Sequence, residues 1–321
     1  MSWMELSLDT THEAVDWVRT LLAEMIDIRD VNITEYAEPN LPHLIDQDVA
    51  HPNWVFTIHL YLPYNTQSRA RVEKIVNLLS PLHRTGLATE IQMSVVEEKP
   101  TDTLNSFVHR IGKRFVVLAP NAPYQSDVAD EITLRLNKTL SFGSGLHPAT
   151  IVTLKLLERY ITPNMNVLDL GCGSGILSVA IAKLGANVLA LDNDNIAVQA
   201  TQEAVRCNGV EHQVKVMEGS LGSGSVLGHW MGGDTIGNVP TIQATGTFDL
   251  IVANILARVH IALADDFKHA LRQDTDTGFL ITAGFTADQE ENVDSALTEA
   301  GFKLIDCERL DEWVALAHRL V

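Results

Sequence analysis

Cysteine is scarce in this chain: Cys172, Cys207 and Cys307 are the only three among 321 residues. An odd number, widely spaced and without a CxxC pair, argues against a disulfide framework and against a structural zinc site. Long apolar runs are also missing. No stretch approaches the roughly 18 residues that read as a membrane-spanning helix. Positive charge is in deficit, with 23 Lys and Arg against 41 Asp and Glu, a net charge of −18 at pH 7. Such a chain repels the phosphate backbone of nucleic acid and anionic membrane surfaces, and it attracts a basic protein. Met1–Glu5 has no basic stretch followed by an apolar run. No secretory signal is expected there, and a cytoplasmic location is. What is present, 46% hydrophobic and 20% charged residues, is ordinary globular composition on a chain long enough for two domains.

The first hundred residues alternate short strands and helices. Trp3–Leu8, Asp30–Tyr36, Trp54–Leu62 and Glu90–Val96 read as strands, and Thr10–Met25 and Gln67–Leu82 carry helical spacing of apolar residues. The order β-α-β-β-α-β predicts a ferredoxin-like α+β domain. Polar residues from Glu97 to Asn105 begin a linker region that includes a short strand at Phe115–Leu118. From Ala149 the pattern becomes repeated β-α units, which predicts a parallel sheet with helices on both faces. Only Leu310-Asp311-Glu312 separate the last two strands. That is too short for a parallel crossover, so they form an antiparallel hairpin. Gly219–Gly246 breaks the pattern, rich in Gly, Ser and Thr with Asp234 as its single charge. It reads as a flexible surface loop or as a lid over a neighbouring cleft. The expected domains are therefore 1–98, 134–321 with the 219–246 insertion, and a 99–133 linker region between them.

Three patterns carry chemistry. In the first, the strand Val167–Leu170 runs into Gly171-Cys172-Gly173-Ser174-Gly175 and then a helix. A glycine-rich turn lets backbone approach a ligand, and a helix start presents N–H groups. The spacing is GxGxG, with Ile176 where a dinucleotide fingerprint would have its third glycine. Asp169, two residues before the first glycine, would repel a pyrophosphate and attract an ammonium. Asp192 ends the next strand, where a carboxylate accepts ribose hydroxyls. A ligand with a ribose and a cationic end but no phosphate fits, and S-adenosyl-L-methionine is such a ligand. A turn without a ligand and a nicotinamide site are the alternatives. The second pattern is Ser141–Thr150, a glycine-containing loop with His147 that opens a helix. The third is Asn254, at the carboxyl end of a strand. It is placed either for a ligand in the sheet cleft or as a helix N-cap.

In this order, the three patterns resemble the bacterial methyltransferase family of large-subunit ribosomal protein L-eleven. That family carries an FGTGxHxTT loop, a D-x-G-x-G-S-G turn, an acidic end to the second strand, and an A-N-I-L strand end. Here they stand as Phe142–Thr150, Asp169–Gly175, Asp192 and Ala253–Leu256. Gly301-Phe302 and Glu312-Trp313 resemble the family's last hairpin. The similarity covers about Leu134 to Val321 apart from the insertion, and the N-terminal part resembles the family's substrate-recognition domain by architecture. Ser144 and Ala149 stand where the family has Thr, and Asn137-Lys138 where it has Asp-Pro.

The resemblance implies a seven-stranded class I methyltransferase (Rossmann-like) sheet with an antiparallel last strand, beside the ferredoxin-like domain. It implies an N-methyltransferase that moves a methyl group from S-adenosyl-L-methionine to Lys side chains and the N-terminal amine of the basic ribosomal protein. The cofactor residues are then Phe142, Gly143, Thr150, Asp169, Gly171, Gly173, Gly175, Asp192 and Asn254, with no metal. In-line methyl transfer demands alignment, and the amine must first lose its proton, from a pKa near ~10.4 for lysine. Asn254 is the candidate to orient that amine through its carbonyl oxygen. His147 is either a proton acceptor or a structural residue. Ile255 and Leu256 follow Asn254, where base-methylating enzymes carry N-P-P-Y, so no aromatic residue is present to stack a flipped base. Two rivals stand beside this reading. One is a methyltransferase of another protein or a small molecule. The other is a non-catalytic cofactor-binding or assembly protein, against which the intact glycine turn speaks.

Overall fold

The computed structural model describes residues 3–22, 30–36, 54–65, 68–97, 108–118, 122–126, 128–136, 147–222, 240–273 and 278–321. The chain divides into two compact units, Met1–Phe107 and Val108–Val321.

The first unit runs β1 (Trp3–Thr10), α1 (His12–Leu22), β2 (Val31–Glu35), β3 (Phe56–Pro63), α2 (Ser68–Arg84) and β4 (Gln92–Val96). Its four strands pair antiparallel in the order β2-β3-β1-β4, the ferredoxin-like arrangement expected. Alternate residues of β1 and β3 (Leu6, Leu8, Phe56, Ile58 and Leu60) are buried, as are Ala14, Val15, Val18 and Leu22 of α1 and Val72, Ile75, Leu79 and Leu82 of α2. A strand period of two and a helix period near 3.6 thus meet in one core.

The second unit begins with a three-stranded sheet of β5 (Val108–Ile111), β6 (Phe115–Leu118) and β7 (Ile132–Arg135), ordered β5-β6-β7. A linker region with short strands at Phe115–Leu118 and Ile132–Leu136 is the expectation here; the structure has both, adds β5, and packs the region onto the core. All four residues of β6 are buried, and Phe115, Val117, Ile132 and Leu134 join the core of the large sheet. Lys183 Nζ donates to the Thr133 carbonyl at 2.7 Å, and Asn208 brackets Arg135 with two bonds of 2.9 and 2.6 Å. The first strand is too short for its periodicity to reveal that burial.

Next come α3 (Pro148–Tyr160), β8 (Asn166–Leu170), α4 (Ile176–Lys183), β9 (Asn187–Asp192), α5 (Asn195–Cys207) and β10 (Val214–Glu218). Two-residue strands β11 (Ser220–Leu221) and β12 (Thr241–Ile242) pair with each other at the two roots of the glycine-rich insertion. Residues 223–239, and with them most of the expected loop or lid, lie outside the described residues. The chain continues through β13 (Leu250–Asn254), α6 (Ala257–Ala262), α7 (Ala264–Ala270), β14 (Phe279–Thr286), α8 (Glu290–Ala300), β15 (Phe302–Leu310) and β16 (Trp313–Leu320). A single helix over Leu256–Leu271 is the sequence expectation. It is broken at Leu263 (φ −98°, ψ 8°). The buried residues His260, Leu263, Ala264, Phe267 and Ala270 keep helical spacing straight through the break, so periodicity cannot expose it.

The seven-stranded sheet is ordered β10-β9-β8-β13-β14-β16-β15. Only β16 runs against the direction of the other six strands, as the short hairpin requires. Leu250 and Val252 of β13 face the core under α3, α4 and α5, while Ile251 and Ala253 face the core under α6, α7 and α8. The strand order reverses between β8 and β13. Ligands of open α/β sheets bind at the carboxyl ends of the strands at such a switch point. Among the described residues no helix is long and apolar enough to cross a membrane.

Candidate active site

At the end of β8 the chain turns through Gly171, Gly173 and Gly175, all with left-handed φ (77°, 54° and 81°). The N–H groups of Gly171 and Cys172 bond the Leu191 carbonyl at 2.8 and 3.0 Å, tying the turn to β9. Asp192, the last residue of β9, accepts the Gly173 N–H through Oδ2 at 2.9 Å and the Asp194 N–H through Oδ1 at 3.0 Å. Thr201 of α5 donates to the Gly173 carbonyl at 3.0 Å. Gly173 is therefore gripped on both peptide groups. A Cβ at Gly171 would lie 2.5 Å from Ile255 Cγ2, and one at Gly175 would lie 2.8 Å from Thr201 Cα. Sequence reasoning assigns these glycines to close approach by a ligand. What they clear in this structure is room for β13's extension and for α5.

Asp169 lies beneath the turn with no exposed surface. Ser178 Oγ donates to its Oδ2, while Oδ1 is buried with no partner. Burial pushes its pKa up to about 7, against the Ser178 bond, and the neighbouring Asp192 charge adds to the rise. Burial also raises the pKa of Asp192.

The helix α3 opens across the cleft. His147 is its N-cap, its Nδ1 accepting the Ala149 N–H at 3.2 Å, and Pro148 takes the first helical position. The imidazole is almost fully buried and stacks edge-on against Trp313, with centroids 4.4 Å apart. Thr150, one turn in, accepts a hydrogen bond from Asn254 Nδ2 at 3.4 Å. Asn254 is half-buried at the carboxyl end of β13. It is not a helix cap, because α6 starts after Leu256, which makes no side-chain cap bond.

The structure thus joins Thr150 with Asn254, Gly171 with Ile255, and Gly173 with Asp192. His147 stands apart as a cap. Phe142 and Gly143 lie outside the described residues. Sequence reasoning missed Gly284 and His260. Gly284, at φ +91°, is pressed against the Asn254–Ile255 peptide, and His260 Nε2 reaches the Ile255 and Ala283 carbonyls at 3.0 and 2.9 Å. A glycine directly after the strand expected at Phe279–Ala283 and a histidine inside the helix expected over Leu256–Leu271 were the available signals.

The residues fit a ligand with a ribose and an ammonium. A carboxylate offers about four lone-pair sites, so Asp192 keeps capacity for ribose hydroxyls after its backbone bonds. An unpartnered buried oxygen such as Asp169 Oδ1 costs about 1–3 kcal/mol, which a cationic donor would relieve.

The strand order, glycine turn and acidic second strand end define a class I, S-adenosyl-L-methionine-dependent methyltransferase. Comparison with known proteins narrows the class. The sequence matches the family described as "Ribosomal protein L11 methyltransferase (PrmA)" over residues 2–320. Ribosomal protein L11 methyltransferase of Chloroflexus aurantiacus is 38% identical over 99% of this chain and 98% of its own length. That of Herpetosiphon aurantiacus is 36% identical over 99% of each. Among solved structures, a ribosomal protein L11 methylase from Lactobacillus delbrueckii subsp. bulgaricus is 30% identical, with a TM-score of 0.53 over 67% of this chain and 99% of that one. This chain belongs to the ribosomal protein L11 methyltransferase family.

Proposed function

We propose that this enzyme methylates amino groups of ribosomal protein L11, both Lys side chains and the N-terminal amine, in the cytoplasm. The observation that carries the reading is the pairing of Asn254 with Thr150 at the switch point, one residue from the Ile255 side chain that packs on the glycine turn. Family membership supports the substrate. So does charge: an enzyme at −18 favours encounter with a basic ribosomal protein.

S-adenosyl-L-methionine, when bound, supplies a methyl group activated by a sulfonium. Asp192 would hold ribose hydroxyls, Asp169 would face the ammonium, and the 171–175 turn and Thr150 would line the rest of its site. Asn254 accepts a hydrogen bond from the neutral amine through its carbonyl oxygen and aims the nitrogen lone pair. Alignment of this kind is the principal demand of in-line displacement. His147 is a structural cap rather than the base. Its Nδ1 lone pair is already engaged by Ala149, so the neutral ring carries its proton on the other nitrogen and has no acceptor left.

The first unit, with none of the cofactor residues, recognises the protein substrate. The test is mass spectrometry of purified L11 after incubation with the enzyme and labelled cofactor. Methyl groups on Lys side chains and the N-terminal amine are expected from the full chain. The fragment Val108–Val321 is expected to keep cofactor affinity and lose transfer. Full transfer by the fragment would remove the first unit from substrate recognition, and no label on L11 from the full chain would overturn the reading.

A further inference from the structure

His260 sits within α6 with no exposed surface, edge-on to Phe285 at 5.5 Å and tilted against Phe267 at 6.4 Å. An aliphatic side chain would fill such a place without burying polar atoms, and the imidazole leaves its Nδ1 buried and unpartnered. What the ring adds is at Nε2, which lies 3.0 Å from the Ile255 carbonyl and 2.9 Å from the Ala283 carbonyl. Two carbonyl acceptors on one nitrogen fix the proton there. The Ala283 carbonyl also accepts the Ile255 N–H at 3.0 Å, so both peptide groups of Ile255 end on the same lock.

Two further observations converge on that residue. A Cβ at Gly284 would lie 2.5 Å from the Ile255 oxygen, 2.7 Å from its nitrogen and 3.0 Å from the Asn254 carbonyl carbon, so β14 presses on the Asn254–Ile255 peptide from the side. The Ile255 side chain in turn occupies the space over Gly171. The end of β13 is held between two glycines and tied down by one histidine.

We propose that His260 is a positioning residue for methyl transfer: it clamps the peptide of Ile255 and thereby fixes Asn254, its sequence neighbour, against Thr150 and the glycine turn. The proposal rests on the reading of Asn254 as the residue that aims the amine. Burial moves the imidazole pKa down to about 4, against its two carbonyl bonds. The ring therefore remains neutral through the physiological range, and the lock does not open with ordinary changes of pH.

The first measurement needs neither cofactor nor substrate. Nitrogen-15 NMR of histidine-labelled wild-type protein should show His260 protonated on Nε2 and unchanged from pH 8 to about 5.5. A ring that titrates near 6.5, or carries its proton on Nδ1, overturns the lock. The second measurement compares His260→Phe, which keeps a ring but loses the donor, with His260→Gln, whose amide can donate from nearly the same point. His260→Phe should lower kcat by about tenfold to a hundredfold, change the KM for cofactor less, and speed amide exchange over 254–257 in the cofactor-free protein. His260→Gln should recover most of both. Wild-type kcat in His260→Phe, or equal damage in the two variants, would overturn the proposal. If His260→Phe does not fold, the NMR result and His260→Gln decide. Failure of wild-type transfer to L11 would remove the proposed function, while tautomer and exchange would still test the clamp.

Discussion

The two ends of the large sheet treat a buried carboxylate in opposite ways. At the amino end, Asp249 precedes β13 and is fully provided for. Its Oδ2 accepts the Asn166 N–H at 2.7 Å, its Oδ1 accepts Arg272 at 2.7 Å, and its backbone carbonyl takes the N–H groups of Gly278 and Phe279. At the carboxyl end, Asp169 on the adjacent strand is met by the hydroxyl and backbone of Ser178, while its Oδ1 has no hydrogen-bond partner. Among the described residues no basic side chain forms an ion pair with it, and its charged neighbour is another carboxylate, Asp192. The same residue type serves as a strand-to-strand tie in the first place and as an open, high-energy acceptor in the second. Complete satisfaction marks structure, and incomplete satisfaction in a cleft marks a ligand.

Substitutions at each end should separate these roles. The largest effect is expected at the carboxyl end. Asn254→Ala should lower kcat for methyl transfer by about a hundredfold, with little change in melting temperature, since no helix depends on it for a cap. Steady-state kinetics beside thermal denaturation would check this. A lowered melting temperature with wild-type kcat would make Asn254 structural and erase the contrast. At the amino end the reverse should hold. Asp249→Ala strands the Asn166 N–H and frees Arg272, and it should cost about 2 kcal/mol of stability in urea unfolding. The kcat of the molecules that remain folded should not change.

The sequence discloses what is local. Alternation and helical spacing gave the ferredoxin-like unit, the β-α repeats and the final hairpin, because each pattern is written within a dozen residues. The glycine turn was legible for the same reason. Its detailed logic was not. Gly171 is required by Ile255 and Gly175 by Thr201, neighbours that only the sheet order and the packing of α4 on α5 bring near. The Thr150–Asn254 bond joins positions 104 residues apart, beyond any periodicity. Phe115–Leu118 and Ile132–Leu136 read as strands, but β5 and the joining of all three into one sheet were hidden, because strands of four residues carry too few positions to display a period. His260 was not singled out, since nothing in the sequence says which carbonyls will face it.

The pH dependence of stability is the sharpest test of the difference between the two ends, because it isolates the unpaired carboxylate. In the cofactor-free protein, the Asp169 pKa is raised from 3.8 to about 7 and that of His260 is lowered from 6.5 to about 4. Between pH 4 and 6.5 the native state holds a proton on Asp169 that the unfolded chain has lost, so stability falls as pH rises. Over the same interval the unfolded chain binds a proton at His260 that the native state excludes, so stability rises with pH. The two slopes oppose each other. Burial raises the Asp192 pKa and lowers that of His318, which adds one group to each side. Wild-type stability should therefore be nearly flat across this interval and fall only above it, where Asp169 continues to lose its proton. Asp169→Asn removes the falling contribution, and its stability should climb relative to wild type by about 1.4 kcal/mol per pH unit. His260→Gln should tilt the curve the other way by a similar amount, and the double variant should regain the flat profile. Urea unfolding at half-unit steps of pH would measure all four proteins. An Asp169→Asn curve parallel to wild type would mean that this carboxylate is as well provided for as Asp249, and the contrast between the ends of the sheet would fail.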